Sequence, residues 1–176
     1  MPRIDQRLGL TRYEADTHYK QALEAYKKGN FDKAVEALDE ALDLLPGQAE
    51  YHAARGFIYL EDGEQAHAEA DFDTALKRQP YEMLAHYGRG MIAYQTQRWM
   101  DALGHFGEAY RVDPQRPETL YYLALIYYQL GDFTHAHDFM TQAHAGLETR
   151  GDKRRTDAAR WLRHIERRQR EIGKRP

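Results

Sequence analysis

From Ala15 onward, small and large apolar residues return at fixed intervals, and the interval is 34 residues. Small residues stand at Ala34, Ala68, Ala102 and Ala136, and again at Ala41, Ala75, Ala109 and Ala143. A third small column is Ala22, Gly56, Gly90 and Ala124, and a bulky apolar column is Leu38, Phe72, Phe106 and Met140. A period of this length marks a repeat architecture, in which each unit is one supersecondary element stacked on the next. Within each copy the helical spacing breaks at a turn, at Gly29, Gly63 and Gly131, with Gln97 as the exception, so every copy predicts helix, turn, helix. Proline closes three copies, at Pro46, Pro80 and Pro114, whereas the fourth has Glu148. The copies run 15–48, 49–82, 83–116 and 117–150 without insertion.

The small columns let helix backbones approach closely and the bulky column fills the space between them. After the fourth copy, Ala158, Trp161, Leu162, Ile165 and Ile172 recur at helical spacing with arginines opposite, which predicts an amphipathic helix over 151–176. A repeat array needs such a helix to cover its last apolar face, so this segment is expected to cap the stack. Residues 1–14 match no repeat position; Leu8, Leu10 and Tyr13 either extend the first helix or fold back onto the stack.

Counted from the first residue of each copy, position 8 is small, position 11 is Ala25, Tyr59, Ala93 and Tyr127, positions 20 and 27 are alanine, position 24 is bulky and position 32 is proline. This pattern resembles the tetratricopeptide repeat (TPR) over residues 15 to about 148. Two columns depart from it: position 4 is His18, His52, His86 and Leu120, and position 7 is Gln21, Arg55, Arg89 and Leu123. The resemblance implies an all-α, right-handed TPR superhelix, an α-solenoid of four helix-turn-helix repeats with a C-terminal capping helix.

It further implies a concave groove lined by the first helix of each pair. The candidate groove residues are Tyr19, Tyr87 and Tyr121 at position 5, Leu23, Phe57, Met91 and Leu125 at position 9, and Tyr26, Leu60, Tyr94 and Tyr128 at position 12. Position 9 is apolar in every copy, which predicts an exposed apolar patch that a partner covers. The implied function is a non-enzymatic scaffold or adaptor that binds an apolar peptide or partner helix, with Glu50, Glu61 and Glu118 at the groove edges tuning specificity and association rate. Self-assembly through the repeat surfaces is the alternative. Family members that grip a chaperone's C-terminal carboxylate use lysine, asparagine and arginine at positions where this chain has Tyr19, Leu23, Ala54, Leu84 and Gly88, so no carboxylate clamp is expected.

Composition adds limits. Hydrophobic residues make up 42% and charged residues 30%, the balance of a folded chain rather than a disordered one. With no cysteine, disulfides, thiolate metal sites and cysteine nucleophiles are excluded. The N-terminal run MPRIDQRLGL lacks a signal peptide's apolar core, and no window reaches the length of a membrane span, so a cytoplasmic location is expected. The net charge of −3 conceals an asymmetry: residues 151–176 carry ten basic against four acidic residues, net +6, on a body of −9. Nucleic acid or an anionic surface bound through Arg167, Arg168 and Arg170 is therefore the third reading, behind a solvated cap and an acidic protein partner.

No metal, cofactor or active site is expected. His18, His52 and His86 recur one repeat apart, too far from each other to converge on one ion. No HExxH, phosphate loop or nucleophile-base-acid cluster occurs. Arg55 is expected to pair with Asp71; Arg89 has His105 at the equivalent column, which leaves it freer to meet solvent or a ligand, but a structural role is preferred for it as well.

Overall fold

The computed structural model describes the backbone of residues 4–173 and side chains from residue 9 onward; Leu8, Lys174 and Arg175, on which the sequence expectations touch, lie outside the described side chains. Among the described residues there are nine helices and no strand. They are α1 (Ile4–Lys27), α2 (Phe31–Leu44), α3 (Ala49–Glu61), α4 (Gln65–Arg78), α5 (Met83–Gln95), α6 (Trp99–Val112), α7 (Pro117–Gln129), α8 (Phe133–Thr149) and α9 (Arg155–Ile172). They gather into two compact units, one up to Arg89 and one from Gly90 on.

The turns within pairs follow from one backbone requirement. Each first helix ends in a left-handed residue, with φ of +71° at Gly29, +87° at Gly63 and +82° at Gly131, and Gln97 takes the same role at +58°. The amide after it reaches back into the last helical turn, as Asn30 N–H to the Ala25 carbonyl at 3.0 Å and Arg98 N–H to the Ala93 carbonyl at 2.9 Å. Left-handed backbone suits glycine because a Cβ crowds the carbonyl. Where the side chain permits, the next helix is capped: Asn30 accepts from Lys33 N–H and Asp132 from His135 N–H.

Proline sets the length of the second helices. α2, α4 and α6 have 14 residues each and stop just before Pro46, Pro80 and Pro114, whereas α8, with Glu148 in that place, runs to 17. Proline disfavours helical backbone at the residue before it, so its absence lets α8 continue.

The small columns are buried without remainder. All eight alanines at positions 20 and 27 and all four bulky residues at position 24 have 0% exposure. In the first unit Phe72 lies against two glycines: a Cβ on Gly56 would stand 2.9 Å from the ring, and one on Gly88 only 2.1 Å away. In the second unit Phe106 requires Gly90 in the same way, at 2.8 Å.

α1 begins eleven residues before the first copy, so the described part of the N-terminal segment extends the first helix. Leu10 and Tyr13 on it are 60% and 72% exposed and do not fold back. At the other end α9 packs on α7 and α8 through Ala158 and Ile165, both fully buried, with Trp161 and Leu162 half-buried. Ile172, expected on the buried face, is instead 49% exposed, lining an open hollow with Leu130 and Phe133.

Candidate functional site

In the first unit, the heptad separation of Tyr19 and Tyr26 puts both on one face of α1, with Leu23 between them. Tyr26 meets Phe57 of α3 edge-on at 6.2 Å between ring centroids, and Phe57 meets Tyr87 of α5 at 6.2 Å. Leu23, Tyr26, Phe57 and Leu60 are all partly open to solvent, whereas Tyr87 is 6% exposed and serves as backing for Phe57. Tyr19 stacks on Tyr51 at 5.0 Å, and the Tyr51 hydroxyl donates to Asp16 at 2.5 Å.

Carboxylates surround the near end of this row. The Tyr19 hydroxyl donates to Glu50; burial, and then Glu50 and Glu82, push its pKa well above the ordinary phenol value. Glu82 is half-buried, and desolvation together with the neighbouring Glu50 raises its own pKa despite a hydrogen bond from Leu84 N–H at 3.2 Å. At the far end, burial and the charge of Glu61 raise Tyr26.

In the second unit, Met91 and Tyr94 are partly exposed, and Tyr94 packs edge-on against Trp99 and Tyr122 at 5.4 and 5.3 Å. The other three candidates there lie beneath α9. Tyr128 touches Trp161 at 5.4 Å and shares a 2.6 Å hydrogen bond with His164 Nε2, Tyr121 bonds Trp161, and Leu125 is 6% exposed. The capping helix thus takes up the face that the position-9 pattern left bare in the fourth copy. The amphipathic pattern of 151–176 was the signal for this, but which residues it covers depends on packing. Arg160, Trp161 and His164 line a hollow on that helix.

Glu118, expected at a groove edge, is instead drawn into an ion cluster. Arg154 donates to it at 2.9 Å, and Arg150 and Arg116 each approach to 3.6 Å. Burial opposes its ionisation, but backbone hydrogen bonding and the Arg154 and Arg116 guanidinium groups outweigh burial and hold its pKa low.

The charged residues at position 7 are both paired. Arg55 grips buried Asp71 with Nε and Nη2 at 2.8 Å each and reaches Asp39 with Nη1, contacts that raise its pKa further. Arg89, read from sequence as freer, reaches back to Glu69 at 3.4 Å and Asp73 at 3.7 Å on α4. The position-4 histidines pin the turns between copies: His52 Nε2 bonds the Pro46 carbonyl at 3.1 Å and His86 Nε2 the Pro80 carbonyl at 2.9 Å. His18 Nδ1 lies 2.7 Å from Glu40 without the alignment of a hydrogen bond. Among the described residues no three histidine or carboxylate groups converge on a metal position.

The tetratricopeptide-repeat family model matches residues 19–82, 59–104 and 87–145. The chain belongs to the tetratricopeptide-repeat family. No match to a curated protein sequence was found. Solved TPR structures share the fold. One is pilF of Pseudomonas aeruginosa, 20% identical, with a TM-score of 0.77 over 92% of this chain and 71% of that one. Another is the Arabidopsis OM64 TPR domain, 23% identical, with a TM-score of 0.62 over 68% of this chain and 98% of that one. A third is the first TPR of Spaghetti (RPAP3) bound to the HSP90 peptide SRMEEVD, 20% identical, with a TM-score of 0.63 over 68% and 98%. Among the described residues of this TPR chain, no helix is long and apolar enough to cross a membrane.

Proposed function

We propose that this TPR chain is a non-enzymatic scaffold that holds another protein through the faces of its first helices. In the first unit the anchors are Leu23, Tyr26, Phe57 and Leu60; in the second they are Met91 and Tyr94. The observation that carries this reading is the continuous row Tyr26, Phe57, Tyr87, with ring centroids 6.2 Å apart, left partly open on its outer side. Preformed aromatic side chains held by their neighbours lose little entropy on binding, and such residues dominate interface energetics.

The Spaghetti neighbour is bound to SRMEEVD, a peptide ending in acidic residues. At the positions where the resemblance to carboxylate-gripping family members calls for lysine, asparagine and arginine, this chain has Tyr19, Leu23, Ala54, Leu84 and Gly88, which supports an apolar ligand surface instead. The test is affinity capture from the native extract with the intact chain, with Leu23→Ser/Phe57→Ser, and with Met100→Ser as a control at an exposed residue outside the row. The row variant is expected to lose the captured partner while keeping its helical circular dichroism, and the control to retain it. Capture unchanged by the row variant would remove the first-unit face from this proposal.

A further inference from the structure

The first unit offers more than an apolar row, because its charge is sharply one-sided. Up to Arg89 the sequence has eleven basic and seventeen acidic residues, net −6, and two of those acids stand at the row's end in an unfavourable arrangement. Glu50 accepts a hydrogen bond from the Tyr19 hydroxyl, and half-buried Glu82 lies near enough to Glu50 and Tyr19 for its charge to act on both, with the His86 imidazole also acting on Glu82. Among the described residues neither carboxylate is within ion-pair distance of a lysine or arginine, whereas Asp39 and Asp71 of the same unit meet Arg55 and Glu69 meets Arg89. Two neighbouring carboxylates, one of them partly desolvated, are stabilised by a cation placed between them, and the low local dielectric strengthens that attraction.

The apolar row starts one helical turn away. Leu23 and Tyr26 follow Tyr19 along α1 by four and seven residues, so they lie about 6 and 10 Å further on at the helical rise. Phe57 and Leu60 widen the row on α3, and Glu61 closes its far end beside Tyr26. The surface therefore presents an acidic end, an aromatic and leucine floor, and a second acid beyond it.

We infer that the occupant of the first-unit face is a cationic amphipathic segment of a partner protein: a lysine or arginine seated between Glu50 and Glu82, with large apolar side chains about one to two helical turns away on the Leu23, Tyr26, Phe57 and Leu60 floor. This inference rests on the scaffold reading above and names the class of partner. The chain's own basic amphipathic helix is not that segment, because α9 already spends its apolar face, Ala158, Ile165 and Trp161, on α7 and α8.

The experiment uses the full chain and two synthetic helical peptides of about 18 residues, five turns long. One has leucine on one face and lysine on the other; the second has glutamine in place of lysine. Binding is followed by fluorescence anisotropy at low and at physiological salt. The lysine peptide is expected to bind tighter than the glutamine peptide, with affinity falling as salt rises. Glu50→Gln/Glu82→Gln should weaken the lysine peptide about tenfold while leaving the glutamine peptide unchanged, since removing rim charges removes steering and pairing. A control pair on the outer side of α2, Glu36→Gln/Asp43→Asn, should have no effect, which separates the site from general attraction to an acidic protein. Equal loss in both pairs, or no binding of the lysine peptide, overturns the inference. Binding that ignores Glu50→Gln/Glu82→Gln but is lost in Leu23→Ser/Phe57→Ser also overturns it while leaving the apolar scaffold face standing. Binding insensitive to both sets overturns the scaffold face as well. Concentration-dependent dimerisation abolished by Leu23→Ser/Phe57→Ser would make a second copy the occupant and overturn the inference in favour of self-assembly.

Discussion

At residue scale, Gln97 shows how a repeat keeps a turn that its sequence does not favour. Its copies use glycine at the left-handed residue ending the first helix, and Gln97 adopts φ +58° because Arg98 N–H still finds the Ala93 carbonyl at 2.9 Å. A side chain in left-handed backbone costs about 1 kcal/mol or slightly more relative to glycine. Gln97→Gly should therefore stabilise the chain by about 1 kcal/mol, somewhat offset by the greater freedom of glycine when unfolded. Denaturant unfolding monitored by circular dichroism checks this, and an unchanged or lower midpoint would contradict it. Buried Asp71 answers a different question at the same scale. It serves Arg55 through both carboxylate oxygens and lies 3.2 Å from His52 Nδ1, so one residue satisfies the two departures from the usual repeat pattern in its copy.

At the scale of elements, α9 is held by two kinds of contact that respond differently to pH. Its apolar side, Ala158 and Ile165, is indifferent to protonation; the approach to it is tied down by Arg154, which donates to Asp152 at 2.6 Å and to Glu118 at 2.9 Å. Hydrogen bonds from the Arg154 side chain and backbone lower Asp152 to about 2, and Glu118 is lowered as well. A carboxylate with a depressed folded pKa contributes stability above its unfolded pKa, near 4, and loses that contribution as pH falls through the folded value. Docking of α9 should therefore be intact at neutral pH and weaken between about pH 4 and 2. Fluorescence of Trp161 in a Trp99→Phe background follows this, because Trp161 leaves Tyr128 and His164 when α9 lifts. A spectrum that stays constant across that window would show that the apolar contacts suffice without the ion cluster.

At the scale of the whole chain, charge argues against the nucleic-acid reading. The segment from Gly151 on carries net +6, but in the folded chain four of its arginines meet carboxylates: Arg160 meets Asp157, Arg168 meets Glu171, Arg170 meets Glu166, and Arg154 meets Glu118 and Asp152. Cations already paired release fewer counterions from a phosphate backbone, and the strongly acidic remainder repels it. A gel shift with duplex DNA at physiological salt should show no complex at about 1 µM protein, tighter than the usual non-specific range. A retarded band at that concentration would restore the basic helix as a nucleic-acid surface. The sequence by itself determined the periodic skeleton: the small and bulky columns, the positive-φ turns and the prolines that stop α2, α4 and α6 all express local rules about backbone conformation and close packing. What only the tertiary structure decided was which apolar residues stay open. Tyr121, Leu125 and Tyr128 share their repeat positions with Tyr19, Phe57 and Leu60, yet α9 lies over them, and Glu118 was diverted to Arg154. Periodicity assigns a residue to a face of its helix, but accessibility and ion pairing depend on which distant segment packs there, and that is set by long-range complementarity that no single repeat contains.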